Sequence, residues 1–204
     1  MTTDVETVSF TADGVAYTRE YFASHPDQVV AARFSASKPD ALSCKITLNR
    51  GKAAKTVAEG NDTLLMTGNT DYENRKGNCD YAVMLKVIPL TRIWVPDGPF
   101  DDLVIDMSGR VSSEGDTITV TGATSFTVYM AAHTSYKCDW DANYRNNDDL
   151  VAVVRERIEK VTAEQIDRIQ PAGQGHWARM DQFDTLVQRH TEDYKKLFDR
   201  VKFD

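Results

Sequence analysis

Residues 116–134 read DTITVTGATSFTVYMAAHT. In the second half of this stretch, Thr124 to Thr134, Phe126, Val128, Met130 and Ala132 fall on one side of an extended chain. Ser125, Thr127, Tyr129 and Ala131 fall on the other. A period of two is the mark of a strand. Asp116 to Thr121 alternates in the same way, and Gly122-Ala123 joins the two runs.

Working outward, the same grammar holds upstream. Cys79 to Ile88 is apolar on both sides, with Tyr81, Val83, Leu85 and Val87 against Ala82, Met84 and Ile88. It therefore reads as a central strand covered on two faces. Thr63 to Thr67 is a short strand. Leu42, Cys44, Ile46 and Leu48 alternate with Ser43, Lys45 and Thr47, and Val30, Ala32, Phe34 and Ala36 share one face of Gln28 to Ala36. Lys38-Pro39-Asp40 turns between these two runs. Val8, Phe10 and Ala12 lead into Asp13-Gly14, and Val15, Tyr17, Arg19 and Tyr21 lead out of it. Asp-Gly between two alternating runs is a hairpin signal. Many short strands with no helix between them predict a mainly β protein built on an antiparallel β-sandwich over residues 1–138.

Downstream, residues 139–204 read as a helical linker with two C-terminal α-helices. Asp148-Asp149 can cap a first helix from Leu150 to about Val161, with Leu150, Val154, Ile158 and Val161 as its stripe. Pro171-Ala172-Gly173-Gln174-Gly175 breaks helical patterning. A second helix from about Met180 to Arg200 carries Phe183, Leu186, Val187, His190, Tyr194, Leu197, Phe198 and Val201 as an apolar face.

Charge and composition exclude several functions. A net charge of −7, with 24 basic and 31 acidic residues, gives no cationic footprint for nucleic acid. No apolar run approaches the ~18 residues a membrane span needs. No charged-then-apolar segment opens the chain, so the expected location is cytoplasmic, with export of a longer parent left open. The three cysteines, Cys44, Cys79 and Cys138, form no Cys-x-x-Cys pair, and Cys44 reads as a buried, inert thiol on an inward strand position. His25, His133, His176 and His190 lack partners at metal spacing, so no metal and no cofactor is expected. His190 reads as a packed histidine on the helix face. Neither a Gly-x-Ser-x-Gly elbow nor a phosphate-binding glycine loop is present. Asp71 with Glu73, and Asp101 with Asp102, fall in loops where plentiful acids do not make an opposed catalytic pair.

One loop stands out. Asp139-Trp140-Asp141-Ala142-Asn143-Tyr144-Arg145-Asn146-Asn147 mixes rings, amides and a guanidinium between the last strand and the first helix. Sugars stack on aromatic faces and hydrogen-bond to amides and charges, so Trp140, Asn143, Tyr144 and Arg145 are candidates for a carbohydrate rim. The plainer reading is a polar connector that caps the helix and docks its Trp and Tyr on the sandwich.

Three strings carry a family resemblance: Tyr17 to Val30 (YTREYFASHPDQVV), Glu114 to Lys137 (EGDTITVTGATSFTVYMAAHTSYK) and His190 to Val201 (HTEDYKKLFDRV). In this order and across most of the chain, they resemble the family 95 glycoside hydrolases, the α-L-fucosidase family. The resemblance implies an N-terminal supersandwich-like domain, here incomplete, then linker helices, then a catalytic (α/α)6 barrel. The barrel would carry the catalytic residues; none is matched in this chain. Met1 would fall inside the family's sandwich domain, and Leu90 to Met107 and Gln165 to Gln182 look longer than the family's connections. The expected role is a non-catalytic sandwich portion of a fucosidase-like hydrolase, with the barrel as partner. The alternative is a free-standing carbohydrate-binding module for fucosylated glycans. A sandwich lacking leading strands exposes a sheet edge, which predicts a homo-oligomer that covers it.

Overall fold

The computed structural model describes residues 5–71, 77–89, 92–94, 104–106, 109–163, 169–172, 176–179 and 182–200. Glu73, Asp101, Asp102, residues 173–175, Met180 and Val201, all invoked above, lie outside the described residues.

In chain order the strands are β1 (Glu6–Ala12), β2 (Val15–Ser24), β3 (Val29–Ala36), β4 (Leu42–Thr47), β5 (Ala54–Glu59), β6 (Thr63–Asn69) and β7 (Asp80–Pro89). There follow β8 (Arg92–Trp94), β9 (Val104–Asp106), β10 (Arg110–Glu114), β11 (Thr117–Ala123) and β12 (Ser125–Thr134). Helix α1 (Leu150–Ala163), the hairpin β13 (Ile169–Ala172) and β14 (His176–Arg179), and helix α2 (Gln182–Phe198) complete the chain.

Two antiparallel sheets form the sandwich. The large one has seven strands in the order β1-β2-β3-β12-β7-β6-β5, and the small one has three in the order β10-β11-β4. Asp13 and Gly14 take positive φ (52° and 70°), so β1 and β2 join through a two-residue turn with Ala12 opposite Val15. The stretch 116–134 is where the chain changes sheets. The register of β11 on β4 shifts between Val120 and Ala123, Gly122 has φ 61°, and β12 emerges in the large sheet. A bulge with a left-handed glycine is a usual way to turn such a corner.

The large sheet has a different cover on each face. On one, Leu64, Leu85, Val87 and Phe126 meet Ile118, Val120 and Ala123 of the small sheet. On the other, Phe22, Ala31, Met84 and Tyr129 meet Val154, Ile158 and Val161 of α1 and Phe183 and Leu186 of α2. Hence β7 is apolar on both sides: Leu85 and Val87 serve one core, Ala82 and Met84 the other. The helices share a core with the sandwich across the middle strands β2, β3, β12, β7 and β6 of this face.

Local chemistry fixes the helices there. Asp149 caps α1, its carboxylate accepting from the N–H groups of Val151 and Ala152 at 3.1 Å each. Asp27, 5% exposed, sits in the β2–β3 turn. It accepts the Ser24 hydroxyl at 2.6 Å and pairs with Arg189 of α2 at 2.9 Å. Arg33 of β3 bridges Glu20 and Asp184, each at 2.7 Å, and lies 4.3 Å over the Phe183 ring. Its guanidinium is held above its ordinary value: burial opposes the charge, and the bonds to Glu20 and Asp184 outweigh that. Among the described residues, no helix is long and apolar enough to cross a membrane.

One expectation is corrected by position. Cys44 does alternate with Leu42 and Ile46, which pack against the sandwich core. However, β4 is the last strand of the small sheet, and the Cys44 residue is exposed. Among the described residues, no further strand pairs with β4 on the side away from β11.

Candidate functional site

The loop after β12 is a compact polar turn. Tyr136 pairs with Arg145 as an isolated antiparallel bridge, and the Lys137 N–H donates to the Tyr144 carbonyl at 3.0 Å. Asp139 organises the tip. One carboxylate oxygen accepts from the N–H of Asp141 (3.1 Å) and of Ala142 (3.3 Å), and the other pairs with Lys137 at 2.8 Å. Those partners, Lys137 first, hold the Asp139 carboxyl below its usual range. Asn143 and Tyr144 both take left-handed φ (49° and 57°), which reverses the chain and turns their side chains outward. The Asn146 amide donates back to the Thr134 carbonyl at 3.1 Å, closing the loop on the strand.

On this frame sits an aromatic group that does not dock on the sandwich. Trp140 is 78% exposed, Tyr136 56% and Tyr144 41%. The Tyr136 and Tyr144 rings are parallel with centroids 6.3 Å apart, and the Trp140 ring meets Tyr144 edge-on at 5.7 Å. Keeping three rings this open forgoes the ~25 cal/mol per Å² that burial would return. Of the four residues singled out by sequence, Trp140, Asn143 and Tyr144 are exposed together at the tip. Arg145 is engaged elsewhere: its guanidinium donates to the Asn78 carbonyl at 3.0 Å and pairs with Asp80, whose other oxygen accepts from Asn69 at 2.6 Å. It therefore ties the loop to the start of β7, and positions the rings more than it offers a free charge. Tyr136 was missed by sequence reasoning. Its signal is an aromatic residue two places past the strand end, where the bridge to Arg145 brings it beside Tyr144.

The histidines have structural company. His190 stacks on Phe22 at 5.3 Å, His133 pairs with Asp148 at 2.9 Å, and His25 pairs with Asp193 at 3.2 Å. The side chain of His176 is not among those described. Among the described residues, no three His, Cys, Asp or Glu side chains are grouped to hold a metal ion.

A second concave region lies on the sandwich side. Phe10, Tyr17, Arg19, Phe34, Leu42 and Cys44 line a groove of about 270 Å³ between β1–β3 and β4. Its rings, Phe10, Tyr17, Phe34 and Phe126, are interspersed with the polar Thr18, Arg19 and Ser43, and the Arg19 guanidinium lies 5.0 Å over the Phe10 ring.

Comparison with known proteins gives two findings. Residues 1–92 match the family described as glycosyl hydrolase family 65, N-terminal domain. The chain is also 27% identical over 213 aligned positions to a protein of Arabidopsis thaliana described as Alpha-L-fucosidase 2. That alignment covers 98% of this chain and 22% of the relative, so the chain spans about a fifth of the relative's length. The resemblance read from the three strings holds at the level of a glycoside hydrolase N-terminal domain, with a fucosidase among its relatives.

Proposed function

Starting from the premise that the chain carries a glycoside hydrolase N-terminal domain, we propose that it is the non-catalytic β-sandwich portion of an α-L-fucosidase-like enzyme. Its work is to seat the catalytic barrel that the resemblance implies and to present the Trp140 loop at the rim of the carbohydrate site. The observation that carries this reading is the alignment of nearly the whole chain, 98% of it, with a fifth of a fucosidase. The exposed apolar end of α2 supports a docking role: Tyr194, Leu197 and Phe198 are all open, with the Tyr194 and Phe198 rings stacked at 5.3 Å. Assay of the 204-residue chain on an aryl α-L-fucoside tests it. The expected result is no turnover above buffer, and saturable hydrolysis by the purified chain refutes the reading.

The open ring cluster favours a second reading, a free-standing carbohydrate-binding module. Its three exposed rings need no catalytic partner to stack on a sugar. Calorimetric titration with fucosylated oligosaccharides separates the two. Binding by the isolated chain that disappears in Trp140→Ala favours the module. Silence in the isolated chain favours a rim completed by another part of the enzyme.

A further inference from the structure

The small sheet covers only part of the large one. β10 and β11 lie over β7 and β6, and β4 reaches Phe34 and Phe126. Beyond that line the sandwich-side face of β1, β2 and β3 carries Val8, Phe10, Tyr17, Tyr21, Val30 and Ala32, as the register requires. Val8, Phe10 and Val30 are each about 40% exposed. A second hollow of about 320 Å³, lined by Ala23, Val30, Met130 and Ala132 among others, lies on the same face farther along.

The edge beside this face is equally bare. β1 ends the seven-strand order, and each of its seven residues is exposed. Sheet edges are normally blunted by lysine, proline or a bulge. β1 has none of these; its one charge is Glu6, and its pairing with β2 is unbroken from Glu6 to Ala12. The opposite edge strand, β5, carries Lys55 and Glu59. Among the described residues, β1 is the less protected of the two edges of this sheet.

We propose that the occupant is a second copy of this chain, added β1 to β1 in antiparallel register about a two-fold axis through Ser9. The strand is compatible with itself. Centred on Ser9, the pairing sets Val8 of each copy beside Phe10 of the other, twice, and Thr7 beside Thr11. Aromatic and β-branched residues are favourable cross-strand neighbours. Charge agrees as well: Glu6 of one copy falls at the Ala12 end of the other, where the Lys38 ammonium lies beside the Gly14 turn. Any other pairing centre breaks the Val8–Phe10 match. A seven-residue strand spans roughly 24 Å, so the contact is a strip at the low end of specific interfaces. Association in the micromolar range follows.

Sedimentation velocity of the full chain from about 1 to about 200 µM reads this directly. The expected result is a reversible monomer–dimer equilibrium. The double variant Val8→Lys/Phe10→Lys, which sets lysine against lysine twice, is expected to stay monomeric at every concentration. Both positions are exposed, so an unchanged circular dichroism spectrum and unfolding midpoint would show that the fold survives. Register is read separately in a background with Cys44, Cys79 and Cys138 replaced by serine. Ser9→Cys should cross-link to a dimer under mild oxidation, because the two Cα atoms would meet within disulfide reach. Thr7→Cys, which would face Thr11 of the second copy, should not. A wild-type chain that is monomeric throughout overturns the proposal and leaves the edge to another segment of polypeptide. So does a dimer indifferent to the lysines, or cross-linking at position 7 equal to that at position 9.

Discussion

The two faces of the large sheet are built from the same strands and are finished differently. The helix face is closed over β2, β3, β12, β7 and β6: α1 and α2 cover these strands, and thirteen buried residues from sheet and helices form one core. The sandwich face is closed over β6, β7 and β12 and open over β1 and β2, where Phe10 and Tyr17 stack on each other at 5.1 Å in view of solvent. Equal alternation along the strands thus has unequal value. An inward-pointing ring contributes burial energy only where a second layer exists. The contrast makes stability a property of the helix face and association a property of the open one.

The largest effect expected from breaking this contrast is on the helix side. Phe183 is fully buried, meets Phe22 edge-on at 5.1 Å and lies under Arg33. Phe183→Ala should cost about 3–5 kcal/mol, from lost transfer energy and the cavity left behind. Urea unfolding followed by fluorescence measures it; a loss below about 1 kcal/mol would mean that α2 contributes little to the core. In the closed part of the sandwich, Ile118→Ala should cost about 2–4 kcal/mol, since Ile118 is fully buried. Phe10→Ala, on the open face, should change the unfolding free energy of the monomer by about 0.5–1.5 kcal/mol, the value of its stacking on Tyr17. Equal losses at Ile118 and Phe10 would erase the distinction between the two halves of the face.

The latch between α2 and the β2–β3 turn comes next. Asp27 is buried and shares its carboxylate between Ser24 and Arg189, whereas Arg189 is about one-third exposed. Arg189→Ala leaves a buried carboxylate with its hydroxyl partner but no cation, at an expected cost of about 1–3 kcal/mol. Asp27→Asn in the Arg189→Ala background should recover part of the loss, because the uncompensated charge is gone. Additivity of the two substitutions in a double-mutant cycle would show that the ion pair does no coupling.

Most strands were legible because they alternate. β2, β3, β4, β7, β11 and β12 all show the period of two, and both helices show their stripes. β5, β8, β9, β10, β13 and β14 were not read, and for β5 and β10 the reason is physical. AKTVAE and RVSSE lie at the outer ends of their sheets, where little is buried and polar residues suffice. Sequence also gives the direction of a side chain without saying what it meets. That is why Cys44 was expected inside and is found exposed, and why the apolar face of α2 runs past its last buried residue, Leu186, to the open Leu197 and Phe198. At the Trp140 loop the residue types were readable. The left-handed pair Asn143-Tyr144 that opens it is set by backbone bonds inside the loop, and the recruitment of Arg145 by Asp80 is a contact across 65 residues of chain. Trp140→Ala should accordingly leave the unfolding free energy within about 0.5 kcal/mol, since so exposed a ring has little to lose.

The smallest effect expected is the most local test of the open face. Cys44 lies where the second layer stops, so its residue is exposed while its thiol borders the groove with Phe10 and Phe34. Partial burial pushes the thiol up from its ordinary value, and the Arg19 charge only partly offsets this. Because the folded thiol is the weaker acid, its contribution to stability is whole below the ordinary thiol range. It is lost as pH rises through the folded value. The thiolate is the nucleophile, so at neutral pH Cys44 should be alkylated by iodoacetamide more slowly in the folded chain than in urea, despite its exposure. Peptide mapping resolves it from Cys79 and Cys138. If a second copy covers the groove, protection of Cys44 should deepen with protein concentration, and Val8→Lys/Phe10→Lys should abolish that concentration dependence; its monomer rate is expected to rise, because Phe10 lines the groove beside the thiol and a lysine there adds a cation. A folded rate equal to the unfolded one would mean that the groove desolvates nothing and that the open face is wetted down to the strand.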